Sequence, residues 1–151
     1  SSLDYHVSID RLEGYKKCLI DNGIPLRADR IIDSGYTMEQ AYEASEVLLT
    51  SDDLPTAIFA IDDLKIIGLY NTAAKLGISI PNDISIVGYN NGTFSPLFSP
   101  PLTGIEVPIM KLGDVATDLL FTKIKKQNEQ TNPIIVPTKM LEKKSVINIH
   151  S

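Results

Sequence analysis

Two apolar runs organise this chain of 151 residues. They are Thr56-Ala57-Ile58-Phe59-Ala60-Ile61-Asp62-Asp63 and Ile84-Ser85-Ile86-Val87-Gly88-Tyr89-Asn90-Asn91. An uninterrupted apolar run of that length predicts a strand covered on both faces. Each run stops at a pair of small hydrogen-bonding side chains. In open parallel sheets, ligands sit at the carboxyl ends of the strands. The two junctions therefore point to a small-molecule site, with a ligand rich in hydroxyls.

The pattern around them alternates. Ser8 is placed to cap a helix running to about Asn22, with Gly23 as its stop. Arg30-Ile31-Ile32-Asp33 predicts a short strand. Thr37-Met38-Glu39-Gln40 has the form of a capping box. The helix it opens carries Ala41, Ala44, Val47 and Leu48 on one face and ends near Ser51-Asp52-Asp53. Thr56–Ile61 is the next strand, followed by a helix from Asp63 to Leu76 that Gly77 closes. Ile84–Gly88 is another strand, Tyr89–Pro101 a loop, and Leu102–Val107 a short strand. A helix from Ile109 to Lys126, a polar turn to Asn132, a strand over Ile134–Leu141 and a basic tail complete the chain. Strands alternating with helices predict βαβ units, hence an α/β fold with a parallel sheet and helices on both faces.

Composition narrows the function classes. Hydrophobic residues make up 43% and charged residues 22%, the profile of a soluble globular domain. No apolar stretch approaches the roughly 18 residues that cross a membrane. A net charge of −5 argues against this segment gripping nucleic acid through its phosphates. Cys18 is the only cysteine and is expected to be a small buried thiol; internal disulfides and cysteine-rich metal sites are excluded. His6 and His150 lie near opposite ends without partners at metal-ligand spacing, so neither a metal nor any other cofactor is expected.

The motifs carry a resemblance. Thr56–Asp63 followed by Gly68 resembles a signature of the LacI/GalR family of sugar-responsive repressors. So does Gly77-Ile78-Ser79-Ile80-Pro81-Asn82-Asp83 running into Ile84–Asn91. Arg11-Leu12-Glu13-Gly14-Tyr15 precedes them, and Pro101-Leu102-Thr103 with Gly113 follows, in the family's order. The resemblance spans nearly the whole chain. It implies a periplasmic-binding-protein type I-like fold of two lobes behind a DNA-binding headpiece. It also implies that residues 1–107 with 134–151 form the C-terminal lobe. Residues 108–133 would pack on an N-terminal lobe that, like the headpiece, is not in this sequence.

The resemblance also assigns residues. Arg11 matches an arginine that reaches into the cleft, where its rigid fork of five donors suits adjacent hydroxyls; the alternative is a surface salt bridge. Asp62 stands where many relatives carry Asn. Its carboxylate accepts only, which favours hydroxyl donors; the alternative is a plain helix cap, a role expected of its neighbour Asp63. Asn90 stands where relatives usually have Asp, and its amide both donates and accepts; alternatively Asn90 and Asn91 bond their own turn. Tyr36 matches an aromatic that stacks on the sugar face in some relatives; the alternative is a simple exposed tyrosine.

The helix from Asp63 to Leu76 is apolar nearly all round, so it is covered on more than one side. By resemblance one side forms a two-fold homodimer interface, with Leu64, Ile67, Tyr70 and Phe98; the alternative is a helix deep in its own core. The function implied is a cytoplasmic transcriptional repressor of carbohydrate use. It would bind a sugar effector in this segment and operator DNA through the headpiece. The Asp62-Asp63 and Asn90-Asn91 pairs resemble most the repressors of maltose or related α-glucosides. The alternative is a secreted sugar-binding protein of an ABC transporter, which shares the fold. An enzyme is not expected: adjacent Asp62 and Asp63 diverge at a helix start rather than flanking one bond, and there is no nucleophile elbow or phosphate loop.

Overall fold

The long helices form where the pattern places them, while the sheet uses fewer residues than the apolar runs offered. The computed structural model describes residues 6–89, 95–125 and 132–149. In chain order the elements are α1 (His6–Asp21), α2 (Met38–Leu49), β1 (Ala57–Ala60), α3 (Asp63–Leu76), β2 (Ser85–Tyr89), β3 (Thr103–Glu106), α4 (Ile109–Lys125) and β4 (Lys139–Leu141). The sheet order is β1-β2-β3-β4. The first three strands are parallel, and β4 runs antiparallel to β3. This is the α/β architecture expected, with the final strand shortened to three residues.

Local chemistry sets the helix ends. Thr37 accepts from the Gln40 backbone while the Gln40 side chain reaches back to the Thr37 N–H, so the predicted capping box is present. α3 ends at Gly77, whose left-handed φ of 71° suits a residue without Cβ. α3 packs on β1 and β2 with Ile66, Leu69 and Ala73, which bury against Ile84, Ile86 and Leu102. Each of these isoleucine and leucine side chains contributes about 1.5–3 kcal/mol of transfer free energy. On its other side α3 meets α2. A Cβ on Gly68 would stand 2.8 Å from the Ala41 carbonyl oxygen, so glycine sets how closely the two helices approach.

Four expectations are corrected. The Arg30–Asp33 strand is absent from the sheet. Ala28–Arg30 forms a single 3-10 turn, and the Ile31 N–H bonds back to the Ala28 carbonyl. Arg27 pairs with Asp29 and Asp53, and Arg30 pairs with Asp53, pinning this segment to the α2–β1 connection instead. Ser8 is not a cap. The helix already runs from His6, and Ser8 is buried within its first turn. Cys18 is exposed, because α1 buries little of its surface; Val7, Ile9 and Ile20 are exposed too. The helix cap falls on Asp62 rather than Asp63.

The residues read as a basic tail have a structural task. Ser145 is fully buried. Its Oγ accepts from the Thr103 N–H at 2.8 Å and donates to the Ile86 carbonyl at 2.6 Å, while its own carbonyl accepts from the Ile86 N–H at 2.8 Å. The Ile147 N–H donates to Ser85 Oγ at 3.2 Å, and the Lys143 N–H to Thr103 Oγ1 at 2.8 Å. This segment satisfies backbone groups at the starts of β2 and β3 that burial would otherwise leave without partners. α4 differs from α1, α2 and α3: none of its residues is buried, and Ile109, Met110, Leu112, Leu120, Phe121 and Ile124 are exposed.

Candidate functional site

β1 and β2 run parallel in register from Ala57↔Ser85 to Ala60↔Gly88, so their carboxyl ends open side by side. Ile61 and Asp62 leave β1 there, and Tyr89 is the last residue of β2. Arg11 of α1 joins them. Its Nη1 donates to the Ile61 carbonyl at 2.6 Å, and its guanidinium carbon lies 3.8 Å from the centroid of the Tyr89 ring. The arginine is thus braced by a charge-assisted hydrogen bond and a cation–π contact. Among the described residues the Ile61 hydrogen bond engages one of its five donors.

Asp62 caps α3. Its Oδ1 accepts from the Lys65 N–H at 3.2 Å, and its Oδ2 lies 3.1 Å from Lys65 Nζ. Its side chain remains about one third exposed. The carboxyl of Asp63 is pushed above its ordinary value, first by burial and then by the adjacent Asp62 charge. Tyr36 is 52% exposed and follows Gly35, whose φ is 56°. The N–H groups of Tyr36 and Thr37 both donate to Gln40 Oε1, at 2.8 and 3.1 Å. Lys65 Nζ donates to the Gly35 carbonyl at 2.7 Å, which ties the loop bearing Tyr36 to α3.

The structure therefore brings Arg11 and Asp62 to one end of the sheet and links the Tyr36 loop to Asp62. Asn90 lies outside the described residues; it directly follows Tyr89. Two contributors escaped the sequence reading. Tyr89 supplies the ring on which Arg11 rests. Lys65 is a buried cation three residues after Asp62, and its signal was a lysine at the third position of an otherwise apolar helix. A cavity of about 560 Å³ runs along the length of β1, between α1, the Ile31–Ile32 segment and α2; Arg11 and Lys65 line it, while Tyr36, Asp62 and Tyr89 do not.

The four residues assigned to a dimer interface separate. Ile67, Tyr70 and Phe98 line one surface cavity of about 330 Å³ with Asn71, Ala74, Leu97 and Ser99, and Leu64 is not part of it. Tyr70 is 8% exposed and belongs to the core. Its ring lies 4.7 Å from that of Phe98, and its hydroxyl donates to the Pro100 carbonyl at 2.9 Å. Burial pushes that hydroxyl up to about 12.

Comparison with known proteins bears on the fold and the family. The periplasmic binding protein-like domain matches residues 3–146. The transcriptional repressor PurR of Photobacterium profundum is 34% identical over 141 residues, covering 93% of this chain and 42% of its own. Catabolite control protein A of Priestia megaterium is 34% identical over 127 residues, covering 84% of this chain and 38% of its own. The chain thus spans about two fifths of these relatives' length. A LacI transcriptional regulator from Bacillus cereus subsp. cytotoxis superposes with a TM-score of 0.89 at 34% identity, over 95% of this chain and 51% of that one. A LacI family regulator from Enterococcus faecium, solved with bound ribose, superposes with a TM-score of 0.80 at 31% identity, over 90% of this chain and 50% of that one. The chain belongs to the periplasmic-binding-protein-like domain family, in the branch of the LacI family transcriptional regulators.

Proposed function

We propose that this chain is the effector-binding and dimerising part of a transcriptional repressor of carbohydrate use, responsive to maltose or a related α-glucoside. One observation carries the reading: Arg11 and Asp62 converge at the carboxyl ends of β1 and β2, with Arg11 braced on Ile61 and Tyr89. That arrangement offers donors from a guanidinium and an acceptor from a carboxylate, which suits a ligand of adjacent hydroxyls. The ribose held by the Enterococcus faecium relative supports the ligand class. The α-glucoside reading rests on the Asp62-Asp63 and Asn90-Asn91 pairs. Such a repressor would meet its operator in the cytoplasm through a separate headpiece, as a homodimer. The effector would act by binding the two lobe arrangements unequally, which is the only way it can shift their populations.

Within this reading the exposed apolar residues of α4 find their cover on a second lobe, consistent with assigning residues 108–133 to it. Ligand binding is tested by melting a longer chain that carries both lobes against a panel of sugars. A sugar at about 100 times its dissociation constant stabilises by roughly 2.7 kcal/mol. A rise in melting temperature with maltose, lost in Tyr36→Ala while that variant melts normally without sugar, is the expected result. No rise with any sugar would remove the sugar reading.

The dimer surface is tested at Ile67, which is half-buried beside Leu97 and Phe98. Ile67→Glu sets a charge in that apolar cavity and should convert dimer to monomer with the fold retained. An unchanged mass by light scattering would place the interface elsewhere. Tyr70 is the poorer probe, since a charge there would damage the core directly.

A further inference from the structure

Lys65 is 7% exposed, and among the described residues no other charged side chain is as buried. It sits in the first turn of α3, where the helix dipole disfavours a cation. Burial of an ammonium adds a desolvation penalty that only good partners offset. An apolar residue, like Leu64, Ile66 and Ile67 around it, would avoid both penalties. What the lysine provides is a bridge. Its Nζ donates to the Gly35 carbonyl at 2.7 Å and lies 3.1 Å from Asp62 Oδ2.

The far side of that bridge is held as firmly. Gly35 adopts a left-handed φ of 56°, and a Cβ there would stand 2.1 Å from Gln40 Oε1. Gln40 grips the next two N–H groups, and Asp33 Oδ1 accepts from the Gly35 N–H at 3.1 Å. The turn that presents Tyr36 is therefore clamped between Gln40 on α2 and Lys65 on α3.

We infer that Lys65 is a positioning residue which joins the Asp62 carboxylate and the Tyr36 turn into one unit, so that the two contact an effector with a fixed mutual geometry. The inference rests on the reading that Asp62 and Tyr36 face the effector. It deepens that reading by making specificity depend on a side chain that need not touch the sugar. Replacing the lysine should loosen the turn without unfolding the domain, because the Asp62 carboxylate it leaves behind is about one third exposed to water and still accepts from the backbone N–H of residue 65.

The test compares Lys65→Met, Asp62→Asn and the double variant with the parent chain by hydrogen–deuterium exchange and melting temperature. Methionine keeps the length of the lysine stem. Exchange at the Tyr36 and Thr37 amides should rise about tenfold in Lys65→Met, the scale expected for losing a hydrogen bond to a charged group. Asp62→Asn should move the same amides in the same direction, and the double variant should add little to Lys65→Met. In Lys65→Met, amides of Ala73 to Leu76 should not change, nor should the melting temperature fall. Unchanged exchange at Tyr36 and Thr37, or a uniform rise along all of α3, would overturn the inference. Additive effects of the two substitutions would overturn it as well, since independent sites add and coupled ones do not. None of these readouts uses a sugar, so the positioning role stands or falls separately from the α-glucoside proposal. On the longer two-lobed chain, maltose is the probe. A tenfold weaker affinity in Lys65→Met at unchanged melting temperature is the expected companion result. Equal affinity would confine Lys65 to the turn and overturn its part in recognition. Failure of the parent to bind maltose would refute the α-glucoside reading alone.

Discussion

Gly104→Ala should remove a large part of the chain's folding stability. Gly104 pairs with Gly88 across β2 and β3, and a Cβ on it would stand 2.3 Å from the Gly88 carbonyl oxygen and 3.0 Å from its carbon. Both obstacles are backbone, so no change of rotamer relieves them. The strands would have to part, and Gly104 also pairs with Leu141 of β4, so the disturbance reaches two ladders at once. Gly88 cannot give way easily, since Ile66 and Leu102 crowd its own Cβ position at 2.7 Å. A loss of roughly 4–5 kcal/mol is the scale for such a substitution, against a typical total of about 5–15 kcal/mol. Gly113→Ala is the control. It lies in α4 with nothing within 4 Å of a new Cβ, and it should stabilise that helix by up to about 1 kcal/mol. Urea titrations followed by circular dichroism separate the two. A Gly104→Ala midpoint equal to the parent's would show that β2 and β3 do not approach this closely.

Asp62→Ala should act on stability and on binding together. It removes the cap of α3, at about 1 kcal/mol. It also takes the carboxylate from buried Lys65, which keeps only the Gly35 carbonyl among its partners in the described residues. Full removal of a partner from a buried pair costs about 3–5 kcal/mol, but Asp62 is about one third exposed and water screens part of that. A combined loss near 2 kcal/mol is expected. Asp62→Asn retains a capping oxygen and should cost less, since Asn caps a helix about as well as Asp. Effector affinity should fall in both, because neither presents the acceptor-only carboxylate to a hydroxyl. Melting curves with and without sugar measure both effects. Parent-like stability and affinity in Asp62→Ala would remove this residue from both roles.

How far the sequence carried depended on the range of the forces involved. The Thr37–Gln40 capping box and the Gly77 stop were legible because each is decided within four residues. The cap of α3 was misplaced by one, since Asp62 and Asp63 are chemically equal and only the backbone turn distinguishes them. The Arg30–Asp33 strand failed because its apolar pair Ile31-Ile32 competes with ion pairs to Asp53, some 20 residues away, which no local pattern reveals. Burial of Cys18 was misjudged for the same reason: among the described residues, α1 has few neighbours that cover it, and Cys18 is exposed. In the site, Arg11 and Asp62 were legible from chemistry and position. Lys65 was not, because its meaning lies in the Gly35 carbonyl, 30 residues earlier.

The Ser145 knot sets a timetable for synthesis. Ile86 and Thr103 wait for hydrogen bonds with a serine 59 and 42 residues downstream. At ordinary translation rates of about 5–20 residues per second, the ribosome needs roughly 3–12 s to cover the longer interval. Until Ser145 emerges, a nascent chain carrying β2 and β3 has polar groups without their final partners and a sheet that β4 has not yet bordered. For those seconds the growing end depends on whatever shields unfinished strands.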